Sequence, residues 1–244
     1  MINISPIPAQ KLGNWKQIPI HESGEKLVAL SHFADKMRLR IEPMYFRQGI
    51  FGAIPEIYVR ESVFLKIEKA LGIMPKNMEL VIWDGWRPLA TQQALFDVFK
   101  SRISTDMPNL SEEELLNRTS VYVSLPSSDP QKPSPHSTGG AVDLTVAYRG
   151  GDLLEMGTDY DDFSEKARTV FFELDNSVLT KSKIDWRENR RLLYAIMTEA
   201  GFTNYPEEWW HFDYGDQFWA SISSSQHALY CNISPERNDS SDIF

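Results

Sequence analysis

Two of the chain's five histidines stand in dense polar surroundings. His136 lies in Ser134-Pro-His136-Ser-Thr-Gly139-Gly140-Ala141-Val-Asp143, seven positions before an aspartate. The glycines between them let the backbone fold back, so an imidazole from a loop and a carboxylate from the following strand can meet at one point. Imidazole and carboxylate together suit zinc. His211 closes the second pattern, Glu208-Trp-Trp-His211. In a regular strand a three-residue offset puts two side chains on opposite faces, so a shared site requires a bulge or turn between them. A glutamate beside the metal, and not on it, is what a zinc hydrolase needs as general base. Each histidine alone reads equally as a core residue with satisfied nitrogens. Taken jointly, the patterns point to a metal centre on His136, Asp143 and His211 with Glu208 beside it.

The flanking segments must hold these residues in place. Ala141 to Tyr148 alternates enough to be a strand, and Arg149-Gly-Gly-Asp152 signals a hairpin into a second strand around Leu153-Leu154. Glu208 to Tyr214 is rich in aromatics and therefore strand-like. Upstream, Met78 to Trp83 reads as a buried strand ending at Asp84-Gly85, and Pro88 suits the first turn of a helix with Leu89, Ala94, Leu95, Val98 and Phe99 on one side. Arg87 thus stands between a strand end and a helix start. Further helices are expected from Glu61 to a cap at Gly72, after a Ser111/Glu114 capping box, and from Asn189 to Ala200 with Gly201 as cap.

Hydrophobic residues at 42% and charged residues at 24% over 244 residues describe one folded domain spanning 1–244. Residues 1–20 form an extended entry segment, and 235–244 are a polar, frayed tail. A net charge of −9 repels a nucleic-acid backbone, and the basic run Arg187 to Arg191, mixed with Asp185 and Glu188, reads as a solvated helix face. A lone Cys231 excludes an internal disulfide and an all-cysteine metal site. No stretch approaches the length of a membrane span and no signal-like start is visible, so a cytoplasmic protein without membrane contact is expected.

These two patterns, together with Asp84-Gly-Trp-Arg-Pro88, Met156-Gly-Thr-Asp-Tyr-Asp161 and the Asn189-Arg-Arg-Leu-Leu helix leading to Gly201-Phe202, resemble the D-alanyl-D-alanine dipeptidases, zinc peptidases related to bacterial D,D-carboxypeptidases. The resemblance runs from about Val81 to Trp219. It implies an α+β fold of the hedgehog/DD-peptidase kind: a small antiparallel sheet carrying the zinc site, with helices packed against it. It further implies one Zn2+ per chain on His136, Asp143 and His211, Glu208 as base, Arg87 as transition-state clamp, and Ser134 and Asp161 as contacts to a small D,D-dipeptide. A solvated acidic turn is the competing reading of Asp159 to Asp162, as is a surface ion pair with Asp84 for Arg87. Tyr45 to Gly52 departs from the family's pattern and is assigned no role; the tryptophans other than Trp209 and Trp210 are read as core.

Two rival functions remain at this stage. A D,D-carboxypeptidase or stem-peptide endopeptidase would keep the same metal site but act on the cell wall. A non-catalytic zinc-stabilised binding domain would close its metal with a fourth protein ligand.

Overall fold

The computed structural model describes residues 2–34, 37–162, 164–174 and 180–235. The tail expected to fray therefore lies outside the described residues beyond Pro235. The strands are β1 (Leu27–Ala29), β2 (Leu39–Ile41), β3 (Tyr58–Arg60), β4 (Met78–Asp84), β5 (Ala141–Tyr148), β6 (Thr203–Asn204) and β7 (His211–Asp213). The helices are α1 (Ser31–Ala34), α2 (Met44–Arg47), α3 (Glu61–Ile73), α4 (Leu89–Asp106), α5 (Glu112–Tyr122), α6 (Phe171–Leu174), α7 (Lys181–Ala200) and α8 (Gln217–Ser223). The main sheet runs β2-β4-β5-β7-β6, antiparallel except where β2 joins β4, and β1 pairs with β3 in a separate ribbon.

Both faces of the central strands are covered, so β5 is buried from Ala141 to Ala147 and its inside-out alternation separates two different environments. Val142, Leu144 and Val146 turn toward the main core, formed with Val63, Ile67 and Leu71 of α3 and Leu193, Ile196 and Met197 of α7. Asp143 and Thr145 must then face the other way. In β7, likewise, Phe212 belongs to the core while His211 and Asp213 share the opposite face. A second, smaller cluster joins Tyr45 to Leu95, Phe96, Phe99 and Val123 beneath α4 and α5.

Several expectations about local structure are corrected. Gly72 lies inside α3, which ends at Ile73 with Met74 as its C-cap before Pro75, where proline cannot continue the ladder. Pro88 is the N-cap of α4 rather than its first turn, and α4 buries Thr91, Gln92, Leu95, Phe96 and Phe99 while Leu89 and Val98 stay exposed. The segment after the hairpin forms only an isolated bridge, Leu153 with Ala147. Helix α7 begins at Lys181, where the Thr180 hydroxyl accepts from the Lys183 N–H. The basic run on α7 is not a solvated face: Arg190 is buried and donates to the carbonyls of Met156, Lys166 and Arg168. It fastens the loop that carries Tyr160 and Asp161. The Ser111/Glu114 capping box and the Gly201 cap, in the left-handed conformation, form as expected.

Candidate active site

The register between β5 and β7 sets Asp143 directly opposite His211. A slip of one residue would send either side chain into the core, so burial of Phe212 and Val142 on the far face also holds the pair in place. His136 arrives from a short 3-10 turn, Pro135–Thr138, that ends at Gly139 with φ 73°. There a Cβ would stand 2.5 Å from Leu27 Cδ2, and one on Gly140 would stand 2.6 Å from the Tyr214 carbonyl oxygen. The glycine pair thus provides both the left-handed turn and the close approach that bring the loop over β5.

The three side chains converge. His136 Nε2 lies 3.3 Å from His211 Nδ1 and 3.4 Å from Asp143 Oδ2, and His211 Nδ1 lies 3.1 Å from Asp143 Oδ1. Tetrahedral bonds of about 2.0–2.1 Å separate ligand atoms by about 3.3–3.4 Å, so the spacing fits a zinc-sized ion. The outer nitrogens reinforce this. His136 Nδ1 is 2.8 Å from the Gly85 carbonyl, which accepts only an N–H, and His211 Nε2 is 2.7 Å from Asp213 Oδ1. With protons on the outer nitrogens, both imidazoles turn lone pairs toward the same point, an arrangement that a cation satisfies and a hydrogen bond between the rings does not. Burial alone would raise the Asp143 carboxyl, but the two imidazoles hold it well below the usual carboxylate range. Burial would lower His211, yet Asp213 and Asp143 push it well above the ordinary imidazole value.

Glu208 stands next to this cluster without joining it, its Oε2 3.7 Å from His211 Nδ1. The expected break in the strand is there. The chain turns between Tyr205 and His211, with β7 starting only at His211, and the Asn204 amide donates to the carbonyls of both Glu208 and His211. Burial, followed by the negative charges of Asp143 and Asp161, pushes the Glu208 carboxyl well above its ordinary value despite His211. Its affinity for a proton is correspondingly raised.

Arg87 pairs with Asp84, as the sequence allowed, but inside the protein. Its Nε and Nη2 grip Asp84 Oδ2 at 2.8 and 2.7 Å, its Nη1 donates to Gln92 Oε1 at 2.8 Å, and its Nη2 lies 3.7 Å from Asp143 Oδ2. It is buried, not a surface ion pair, and its guanidinium stacks 4.8 Å over the Tyr45 ring. Ser134 Oγ is buried on the cavity wall with no hydrogen-bond partner among the described residues. Asp161 is no solvated turn: it lines the same cavity, in the left-handed region at φ 58°, and accepts from the Tyr45 hydroxyl at 3.2 Å. Burial, then the charge of Asp143, raises its carboxyl to about 7.

The cavity above these groups measures about 180 Å³. Its walls include residues that sequence reasoning passed over. Tyr45, in the stretch assigned no role, reaches Asp161 and accepts a hydrogen bond from Tyr160, which in turn contacts Asp143 Oδ2 at 2.9 Å. Trp15, read as core, and Lys16 bring the entry segment to the cavity wall. No local pattern announces any of these. Asp213 was within reach of pattern reasoning, because a residue two places after a strand histidine shares its face.

The family model described as D-Ala-D-Ala dipeptidase, of the peptidase M15 group, matches residues 53–230, a span that contains every one of the converging groups except Tyr45 and the entry segment. The chain belongs to this family. A D-alanyl-D-alanine dipeptidase of Synechocystis is 30% identical over 225 residues, covering 86% of this chain and 90% of that protein. Proteins of the same description from Escherichia coli (29% over 159 residues, 65% of this chain and 66% of the relative) and Enterococcus faecium (30% over 146 residues, 57% and 63%) share shorter stretches. As a member of the D-Ala-D-Ala dipeptidase family the chain is a peptidase, and its buried His136, Asp143 and His211 form a group able to hold a metal. Among the described residues no helix is long and apolar enough to cross a membrane.

Proposed function

We propose that this chain hydrolyses D-alanyl-D-alanine to two molecules of D-alanine with one zinc ion on His136, Asp143 and His211. The observation that carries the reading is the facing pair of imidazole lone pairs, 3.3 Å apart, with a buried carboxylate against both and a separate carboxylate beside them. A zinc ion there would acidify a bound water toward a pKa of about 7 and polarise the peptide carbonyl. Glu208 takes the proton from the attacking water and returns it to the leaving amine, a role that its raised affinity for a proton supports. Arg87, preset by Asp84 and Gln92, offers N–H groups to the oxygen that gains negative charge. Asp161 receives the free ammonium end of the peptide, its carboxyl charging near neutral pH and strengthened in that form by the ammonium itself. The unpartnered hydroxyl of Ser134 supplies a further polar contact to the peptide. A cytoplasmic site of action agrees with the single free Cys231.

A half-buried carboxylate facing the amino end favours a free dipeptide over an N-acylated stem peptide, the distinction between this reading and the carboxypeptidase rival. Free D-Ala-D-Ala should be turned over in preference to its N-acetyl form. Glu208→Ala should lower kcat by about 10²–10⁴ while metal content stays near one per chain. Preference for the acylated peptide, or loss of metal with Glu208, would sink the proposal.

A further inference from the structure

One wall of the cavity lies outside the segment that the family model matches. Leu12, Trp15 and Lys16 line it, whereas the family match begins at residue 53. The entry segment is fastened in place by α8. The Gly13 N–H donates to Ser221 Oγ at 3.0 Å, the Gln217 side-chain amide donates to the Ile18 carbonyl at 2.7 Å, and Trp15 meets Phe218 edge-on with ring centroids 4.8 Å apart.

These anchors define where the segment enters. Phe218 packs against Tyr205 at 5.0 Å and lies 6.2 Å from His211, so Trp15 and Lys16 reach the cavity from the His211 flank. Asp161 reaches it from another flank, where Tyr45 links it to Arg87. Among the described residues, the arginine and lysine side chains on the cavity wall are Arg87 and Lys16. Arg87 is held by Asp84 and Gln92 and directed at the metal ligands. Lys16 Nζ lies 5.2 Å over the Trp15 ring and has no carboxylate partner among the described residues. A zwitterionic dipeptide brings one ammonium and one carboxylate into a space already supplied with an acid for the first.

We infer that Lys16 determines specificity by receiving the free carboxylate of the dipeptide, so that the entry segment selects peptides ending one residue beyond the scissile bond. This rests on the dipeptidase reading. An opposite charge at the rim of a small cavity chiefly affects capture of substrate rather than the chemical step. Peptides whose C-terminus is amidated or extended lose this contact.

The test uses the full chain loaded with zinc, with D-Ala-D-Ala and its C-terminal amide as substrates. Lys16→Met should raise KM for the free acid about tenfold, leave KM for the amide unchanged, and spare kcat. Lys16→Arg should recover most of the loss. Equal changes for both substrates, as a merely structural role would give, or no change for either, would overturn the assignment. Wild-type protein hydrolysing acid and amide with the same KM would overturn it alone; wild-type protein hydrolysing neither would overturn the dipeptidase reading as well.

Discussion

His211 can present Nδ1 to His136 and Asp143 because its Nε2 is already bound, at 2.7 Å, to the fully buried Asp213. Behind Asp213 stands Asp216, whose carboxyl is pushed well above its ordinary value by burial and by the charge of Asp213. The Asp213 carboxyl, by holding the outer ring nitrogen of His211, sets the tautomer and makes the ring a stronger ligand. Asp213→Asn should therefore weaken zinc affinity about 10–100-fold, measured by competition with a chromophoric chelator, while far-UV circular dichroism stays unchanged. Unaltered affinity would mean that the ring is oriented by something else. Asp213, two places beyond His211 on a strand, could be inferred from spacing; Tyr45 and Lys16 could not, because only long-range packing brings them to the cavity. His136, Asp143, Glu208, His211 and Arg87 were legible because each sits in a short pattern whose chemistry has few other uses.

Elements were legible where a local cause ends them. The Ser111/Glu114 box and the left-handed Gly201 cap are such causes, and both are present. Where tertiary contacts decide, spacing misled: α4 buries Thr91 and Gln92 because Gln92 serves Arg87 and the Ser124 carbonyl, a demand that apolar periodicity does not encode. Arg190 reads as part of a solvated face for the same reason, since its partners are carbonyls of a distant loop. The turn Pro135–Thr138 is the element on which the site depends most. Gly139→Ala would put a side chain at φ 73° against Leu27, costing about 1–3 kcal/mol. The shift should be read as a lower urea midpoint with unchanged m-value, accompanied by weaker zinc binding because His136 precedes the strained position. A variant as stable as wild type would show that the turn relaxes without cost.

At the scale of the whole molecule, the apolar core and the metal-ligand cluster lie on opposite faces of the sheet. The core joins α3 and α7 to Leu144, Val146 and Phe212, whereas Asp143 and His211 point away from it. Chelation should accordingly leave a folded protein with unchanged far-UV circular dichroism at 25 °C, but with a lower Tm. Zinc present at a thousand times its Kd stabilises by about 4 kcal/mol, and that increment is what chelation removes. Unfolding at 25 °C on chelation would instead make the ion structural. The pairing of Asp143 with His211 also bears on the order of events during folding. His136 and His211 are separated by 75 residues, with α7 folded between them. Contacts across so long a loop form only after its entropy cost has been met by other pairings. The complete His136, Asp143 and His211 group therefore comes together late, when β7 docks on β5, so that an ion held there would be captured by a nearly finished sheet and would not nucleate it.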